Sequence, residues 1–293
     1  MQKKALVIVN QHTARPKLRS DLLDILDTIT KGGYDCLVRP TQSAGDAERF
    51  VAGRDARDDL VVCIGGDGTI CEAAGELCHR DATFYVVPGG TGNDFARAFH
   101  LPKNPMAAFE AQLAGEPVEI DCGWMNGQSF LNVSGSGFDV AVLQKTEELK
   151  AVYPGERAYR KAVLSVLGRY KAFEADVSID GGAETHETCT IVEIANGQSI
   201  GGGMRVAPDA KLDDGYFDVV VVKKVPRMLI PLLLPAFMLG WHTKIGLARV
   251  TRAKTVTMRA KNMTVNLDGK LLRVDEAHYE LLPGAVRMKK PRL

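Results

Sequence analysis

The sequence predicts an α/β protein, an N-terminal doubly wound parallel-sheet domain plus a C-terminal, mainly antiparallel β-domain. Three observations lead there. As far as about residue 118, apolar runs alternate with segments of helical periodicity, the order that a parallel sheet covered on both faces requires. Two of those runs stop at glycine-rich turns that open helices. After residue 118 the runs shorten, grow rich in Val, Ile, Thr and Phe, and are separated by turn residues.

Taken in order, residues 5–9 form a first strand, and this apolar run is too short for a signal peptide. Residues 18–29 carry apolar side chains at helical spacing, and Gly32-Gly33 ends that helix. A strand follows at 35–39, a helix at 44–53, a strand at 60–64, a helix at 69–77, a strand at 83–87, and helices at 95–99 and 105–113. Asn93 or Asp94 is placed to cap the helix at 95, and Pro102 stops the chain soon after. The β-domain strands fall at 129–134, 175–180, 189–195, 217–222, 255–259, 263–267 and 278–282, interrupted by one long helix at 159–170. The change of texture places a boundary near residues 121–123, giving units of 1–122 and 123–283.

A chain of 293 residues with 45% hydrophobic content suits two domains and can fill two cores. The formal charge of +1 implies no polyanion, so no nucleic acid is expected as partner. The basic cluster Arg287-Met288-Lys289-Lys290-Pro291-Arg292 reads as a solvated tail, with acidic lipid head groups a lesser option. Cys36, Cys63, Cys71, Cys78, Cys122 and Cys189 form no C-x-x-C pair, and Cys71, Cys78 and His79 fit no zinc spacing. They read as reduced thiols of a cytoplasmic protein.

The chemistry lies in the two turns, Gly65-Gly66-Asp67-Gly68-Thr69 and Pro88-Gly89-Gly90-Thr91-Gly92-Asn93-Asp94. A strand that ends in glycines and opens a helix lets backbone N–H groups approach phosphate oxygens, because no Cβ intervenes. An aspartate inside such a turn repels phosphate unless a cation lies between them. The pair therefore points to a nucleotide domain that works with a divalent metal. One βα unit separates the turns, so both stand at the carboxyl ends of neighbouring strands, where ligands bind. Either turn alone is equally a chain reversal. Neither is a Walker A loop or a Rossmann fingerprint, because the lysine of the first and the spacing of the second are absent.

Gly65-Gly66-Asp67-Gly68-Thr69 is shared by diacylglycerol, sphingosine, ceramide and NAD kinases and, loosely, by phosphofructokinases. Gly90-Thr91-Gly92-Asn93-Asp94-Phe95-Ala96-Arg97 resembles the Gly-Thr-x-Asn-Asp-Phe-Ala-Arg motif of the bacterial soluble diacylglycerol kinase and related lipid kinases. The Asn-Glu motif of NAD kinases is absent. The resemblance covers nearly the whole chain, and it implies that residues 284–293 rejoin the first domain.

The same resemblance implies nucleotide contacts at Asn10, Thr41, Gly65, Gly66, Asp67, Gly68, Thr69, Gly90, Thr91 and Asn93. Thr41 opens a Thr-x-x-x-Gly-Asp-Ala match that ends at Ala47. Asn10 matches the first residue of an Asn-Pro-x-Ser-Gly motif whose remainder is replaced here by Gln11-His12-Thr13-Ala14, and His12 reads as exposed. Asp121 stands in an Ile-Asp-x-Gly motif, so Asp67, Asp94 and Asp121 are expected to converge as oxygen ligands of Mg²⁺, with Asp67 catalytic. The segments 196–204 and 207–216 match a stretch that implies a structural Mg²⁺ on the Asp214 side chain and the carbonyls of Lys211 and Tyr216. From the residues alone, Thr41 also reads as an N-terminal cap or ST-turn, Asp94 as a helix cap, Asp121 as a solvated strand end, and Asp214 first as part of an acidic β-turn.

One departure bears on catalysis. Where the family carries Asp-Gly-Glu, whose glutamate is taken to accept the proton of the lipid hydroxyl, this chain has Asp268-Gly269-Lys270. A lysine at its ordinary pKa is protonated at neutral pH and cannot act as a base. Three outcomes remain: another carboxylate serves, Asp268 first and then Asp275 or Glu276; Lys270 acts in its neutral form; or the protein binds nucleotide and lipid with little turnover.

The segment 228–241 is nearly all apolar but too short and proline-broken to span a bilayer. It reads as a buried helix, or else as a lip for an acyl chain or a contact with the membrane surface, with Trp241 at the interface. The resemblance as a whole implies an ATP-dependent lipid kinase that phosphorylates a lipid hydroxyl, diacylglycerol first. A catalytically impaired nucleotide- and lipid-binding regulator is the alternative, and a soluble-substrate kinase of the NAD kinase type ranks third. Expected partners are ATP with Mg²⁺, a lipid substrate and transiently the inner face of the membrane. A homodimer is left open.

Overall fold

The computed structural model describes residues 3–11, 16–55, 58–153 and 156–292. His12, Thr13 and Ala14 lie outside the described residues.

Strands β1 (Lys3–Asn10), β2 (Tyr34–Thr41), β3 (Asp58–Gly65) and β4 (Thr83–Pro88) are parallel, in the order β2-β1-β3-β4. The three inner-lying strands bury both faces. Ala5 and Val7 of β1, Leu60, Val62 and Ile64 of β3, and Tyr85 and Val87 of β4 point to one core. That core is closed by Ile25 and Ile29 of α1 (Pro16–Lys31) and Phe109 of α5 (Pro105–Leu113). The intervening residues, Leu6, Ile8, Val61, Cys63, Phe84 and Val86, point the other way. They meet Val51 of α2 (Asp46–Ala52), Ile70 and Leu77 of α3 (Asp67–Leu77) and Phe95 of α4 (Asp94–Ala98). Burial on both faces is why these strands read as unbroken apolar runs. Because α1 and α2 lie on opposite faces, the connections diverge between β1 and β3, which opens a crevice at their carboxyl ends.

β5 (Glu116–Met125) runs through residues 121–123 without a break, so the passage out of the parallel unit lies inside a strand. It pairs antiparallel with β13 (Lys270–Lys290), a strand of 21 residues whose register shifts between Leu282 and Val286. β13 also pairs antiparallel with β12 (Thr255–Leu267), and past the shift it lies parallel to β4, with Arg287 opposite Thr83 and Met288 opposite Phe84. One strand thereby belongs to both units. The remaining strands are β6 (Gln128–Phe130), β7 (Val133–Gly137), β8 (Phe173–Ile179), β9 (Thr185–Ala195), β10 (Phe217–Lys223) and β11 (Ala248–Ala253). β9 and β12 each pair with β7 at one end and β8 at the other, around a core that includes Phe130, Phe217, Met258 and Tyr279. Helices α6 (Phe138–Lys150) and α7 (Glu156–Leu167) cover a second core that includes Phe138, Ala162, Ile191 and Val220.

Several boundaries differ from the sequence expectation for identifiable reasons. The run at 129–134 divides into β6 and β7, because the N–H groups of Leu131, Asn132 and Val133 turn aside to the Asp268 carboxylate. The two strands at 255–259 and 263–267 are one strand, β12, with a bulge at Asn262 (φ 53°). Helix α6 and strand β11 have no counterpart in the sequence reading. The apolar segment forms a 3₁₀ turn (Arg227–Leu229) and helix α8 (Ile230–Met238). It is not the buried helix expected: only Ile230 and Phe237 of α8 are buried, because the helix meets the domain along one edge. All six cysteines are free thiols.

Candidate active site

The carboxyl ends of the four parallel strands line up. Asn10 is opposite Thr41, Val9 opposite Ile64, and Gly65 opposite Pro88. Asn10 Nδ2 donates to Thr69 Oγ1 at 2.7 Å, so the end of β1 is tied to the first turn of α3. Thr41 is buried at the end of β2. Beyond it, Gly45 N–H donates to the Glu72 carboxylate of α3 at 2.9 Å, fixing the β2–α2 loop to the same helix.

The two glycine turns pack against each other through bare backbone. Gly89 N–H donates to the Gly65 carbonyl at 2.8 Å. A Cβ on Gly90 would stand 2.6 Å from the Gly66 Cα, and a Cβ on Gly66 would stand 3.2 Å from the Gly90 Cα. No other residue allows that approach. Gly68 and Thr91 are exposed at the rim, and a Cβ on Gly68 would meet nothing within 4 Å. Asn93 takes a left-handed conformation (φ 52°) and closes its own turn, with Oδ1 accepting from Gly90 N–H and Nδ2 donating to the Gly90 carbonyl, both at 2.9 Å. Its amide is therefore committed to shaping the loop.

Asp67 and Asp94 face each other across Gly92, where a Cβ would come within 2.9 Å of Asp67 Oδ2 and 3.3 Å of Asp94 Oδ2. Asp67 Oδ1 accepts the Phe95 N–H at 3.0 Å, so the cap of α4 comes from the neighbouring turn and not from Asn93 or Asp94. Burial, and then the Asp94 charge, push the Asp67 carboxyl up to about 6. Asp94 is buried and spans the two units. Its Oδ1 accepts from Arg97 at 2.7 Å and from Ser199 Oγ at 3.0 Å, and its Oδ2 accepts the Gly202 N–H at 2.7 Å. Gly201, Gly202 and Gly203 all have positive φ (62°, 89° and 118°), a run that only glycine supports easily.

Asp121 does not join this pair. Its oxygens accept the N–H groups of Gly215 (2.7 Å) and Gly284 (2.9 Å), and burial raises its carboxyl above the ordinary range. Its charged neighbours are Asp214 and Asp213, so the expected three-carboxylate centre is two separate groups. Asp213 pairs with Lys290 at 3.1 Å and Asp214 with Arg252, whose guanidinium lies over the Tyr216 ring at 4.2 Å. Among the described residues no three acidic, His or Cys side chains gather closely enough to hold an ion. A Mg²⁺ on Asp214 and the carbonyls of Lys211 and Tyr216 would have to share that carboxylate with Arg252.

The Asp268-Gly269 turn (φ 47° and 96°) joins β12 to β13 tightly. Both Asp268 oxygens are occupied by the backbone of residues 131–133, the closest at 2.7 Å from Leu131 N, which gives this side chain a structural task. The Asp268 charge nevertheless adds to the negative field at Asp67. Lys270 is exposed, and its Nζ donates to Gln128 Oε1 at 2.6 Å. The other two base candidates are engaged elsewhere on the hairpin: Asp275 accepts the Asn262 N–H at 2.6 Å, and Glu276 pairs with Arg259 at 3.0 Å.

Sequence reasoning missed Glu72, Ser199 and a buried pair, Glu193 and Asp139. Burial, then the nearby Asp139 charge and a side-chain hydrogen bond shared with Asp139, hold the Glu193 carboxyl well above the ordinary range. An acidic residue inside the run Ile191–Ala195 was the only signal that pointed to it.

An open parallel sheet with glycine turns at its switch point, joined to a β-domain beside the facing carboxylates Asp67 and Asp94, has the layout in which α/β folds bind ligands. Residues 4–125 match the family described as "Diacylglycerol kinase catalytic domain" and residues 132–290 the "YegS C-terminal NAD kinase beta sandwich-like domain". The chain is 30% identical over 275 residues to a diacylglycerol kinase of Staphylococcus epidermidis, covering 92% of this chain and 86% of that one. A candidate diacylglycerol kinase from Bacillus anthracis superposes with a TM-score of 0.81 at 26% identity, over 99% of this chain and 95% of that one. An NAD kinase of Archaeoglobus fulgidus, solved with ATP, shares the fold (TM-score 0.53, 13% identity, 98% and 94% covered). The chain belongs to the bacterial diacylglycerol kinase family and is a lipid kinase.

Proposed function

We propose that the enzyme transfers the γ-phosphoryl group of ATP to a lipid hydroxyl, with diacylglycerol the acceptor and phosphatidic acid the product. The observation that carries this reading is the backbone contact of the Gly66 and Gly90 turns beside the facing carboxylates Asp67 and Asp94. Apart from the Gly89 and Gly90 N–H groups, which donate within the loops, the turns offer N–H groups to phosphate oxygens without side-chain obstruction. Asn10 and Thr41 lie at the strand ends on the nucleoside side, and Thr69 and Thr91 flank the phosphates. Mg²⁺ enters with ATP as part of the substrate and offsets charge on the phosphoryl oxygens. Asp67 would face that charge, and Asp94 would hold the cleft wall from which the acceptor approaches. A second Mg²⁺, on Asp214 with the carbonyls of Lys211 and Tyr216, is part of the same reading.

Lys270 supports a slow enzyme. Phosphoryl transfer depends mainly on positioning and electrostatics, and a general base adds a further factor of about 10² to 10⁴. A chain with lysine at this position keeps the first contribution and loses much of the second. The same residue favours the second reading, a regulator that binds nucleotide and lipid without turnover. Transfer of labelled phosphate from ATP to diacylglycerol in mixed micelles decides: a rate at background with nucleotide binding intact supports the regulator.

A further inference from the structure

Between Asp218 and Asp268 the chain carries nine Lys or Arg and no Asp or Glu. Within this stretch, the segment around α8 turns apolar side chains outward: Met228 is 91% exposed, Leu232 73%, Ile245 59% and Trp241 56%. Its base is fixed. His242 is fully buried, stacks on Phe237 with ring centroids 4.2 Å apart, and donates from Nε2 to the Val206 carbonyl at 2.8 Å. Lys223, Lys224, Arg227 and Lys244 are exposed around it, and among the described residues none of the four makes an ion pair. The segment also touches the cleft wall: Arg205 N–H donates to the Met238 carbonyl at 3.2 Å, three residues from the Gly202 N–H that binds Asp94. No described helix is long and apolar enough to cross a membrane.

We propose that residues 227–245 dock the enzyme on a bilayer that carries anionic lipids. The inference rests on the lipid-kinase reading, because a long-chain diacylglycerol resides in a bilayer. The face has the composition of an interfacial element. Apolar tips enter the acyl boundary, Trp241 takes the head-group level, and the unpaired cations meet acidic head groups. Charge sets the partner: Lys223, Lys224, Arg227 and Lys244 surround the apolar tips with positive charge that no described carboxylate pairs, and acidic head groups supply its complement. Docking on this face brings the Gly201–Gly203 turn, and with it the acceptor side of the cleft, to the membrane.

The test uses the full chain, with phosphatidylcholine vesicles made with and without phosphatidylglycerol, and Trp124→Phe to leave Trp241 as sole reporter. The expected result is a blue shift of Trp241 emission and co-sedimentation with anionic vesicles. Leu232→Glu with Ile245→Glu should lower that binding at least tenfold, and with it phosphorylation of vesicle-borne diacylglycerol. Phosphorylation of a monomeric short-chain diacylglycerol should not change. Lys223→Gln and Lys224→Gln should each lower affinity about fivefold on anionic vesicles alone. The proposal is overturned if the wild type phosphorylates the short-chain substrate yet ignores anionic vesicles. It is equally overturned if the double variant binds as the wild type does, or if the patch joins two copies in solution and Leu232→Glu separates them. Failure of the wild type on the short-chain substrate would count against the kinase reading and leave the vesicle result to stand by itself.

Discussion

Asp94 Oδ2 accepts the Gly202 N–H at 2.7 Å. This one bond, with that from Ser199, makes the first residue of α4 a clasp between the parallel sheet and the β-domain, while Arg97 holds the same carboxylate from within α4. The carboxylate that the sequence offers as a metal ligand is thus also a tie between the two units. Asp94→Ala leaves the buried Ser199 hydroxyl without its acceptor and frees the exposed Gly202 N–H, and should destabilise the protein by about 1–3 kcal/mol in urea unfolding. Asp94→Asn keeps one acceptor and should lose roughly half as much.

The contact between Gly66 and Gly90 separates structural from ligand effects. Gly90→Ala forces two backbones apart and should lower stability by about 1–3 kcal/mol as well as nucleotide affinity. Gly68→Ala meets nothing, so its unfolding midpoint should stay unchanged while ATP affinity, read by calorimetry, falls.

Lys270→Glu restores a carboxylate to the turn beside the site. The side chain lies exposed against Gln128, so the fold should not change. We expect kcat on diacylglycerol to rise by up to the general-base contribution of about 10² to 10⁴. Abolished activity would instead show that Lys270 has a role of its own.

Burial and Asp94 raise the Asp67 carboxyl from 3.8 to about 6 in the ligand-free protein. Between those values the folded state holds a proton that the unfolded state has lost. Stability therefore falls as pH rises through this window and levels off above it. Asp67→Asn removes the buried charge and should make the apo-protein more stable by about 2–3 kcal/mol at pH 7, with no gain below pH 4. The same variant should be inactive. Thermal unfolding across this pH range is the measurement.

A structural Mg²⁺ on Asp214 would bind the folded state alone. Millimolar Mg²⁺ without nucleotide should raise the wild-type Tm, chelator should reverse it, and Asp214→Ala should abolish the shift. Arg252→Ala should enlarge it, because the ion no longer competes for the carboxylate.

What the sequence discloses follows physical range. The four parallel strands and both glycine turns depend on neighbours a few residues away, so periodicity and glycine spacing reveal them. The break between Phe130 and Val133 was hidden because its cause, the Asp268 carboxylate, lies over 130 residues further on. The separation of Asp121 from Asp67 and Asp94 likewise depends on Gly215 and Gly284, which no local pattern places beside it. The exposure of α8 was missed because an all-apolar run carries no polar face to indicate which side meets water. Glu193 was passed over since a single acidic residue in a strand ordinarily points outward.

Strand β13 leaves the β-domain and lies down beside β4, where Ala285 accepts the His79 N–H at 2.7 Å and Arg287 aligns with Thr83. During synthesis the amino-terminal half leaves the ribosome with the flank of β4 bare, waiting for a partner translated some two hundred residues later. Vectorial folding of that half cannot reach its final form until then, and its open flank is where nascent chains would need shelter from one another.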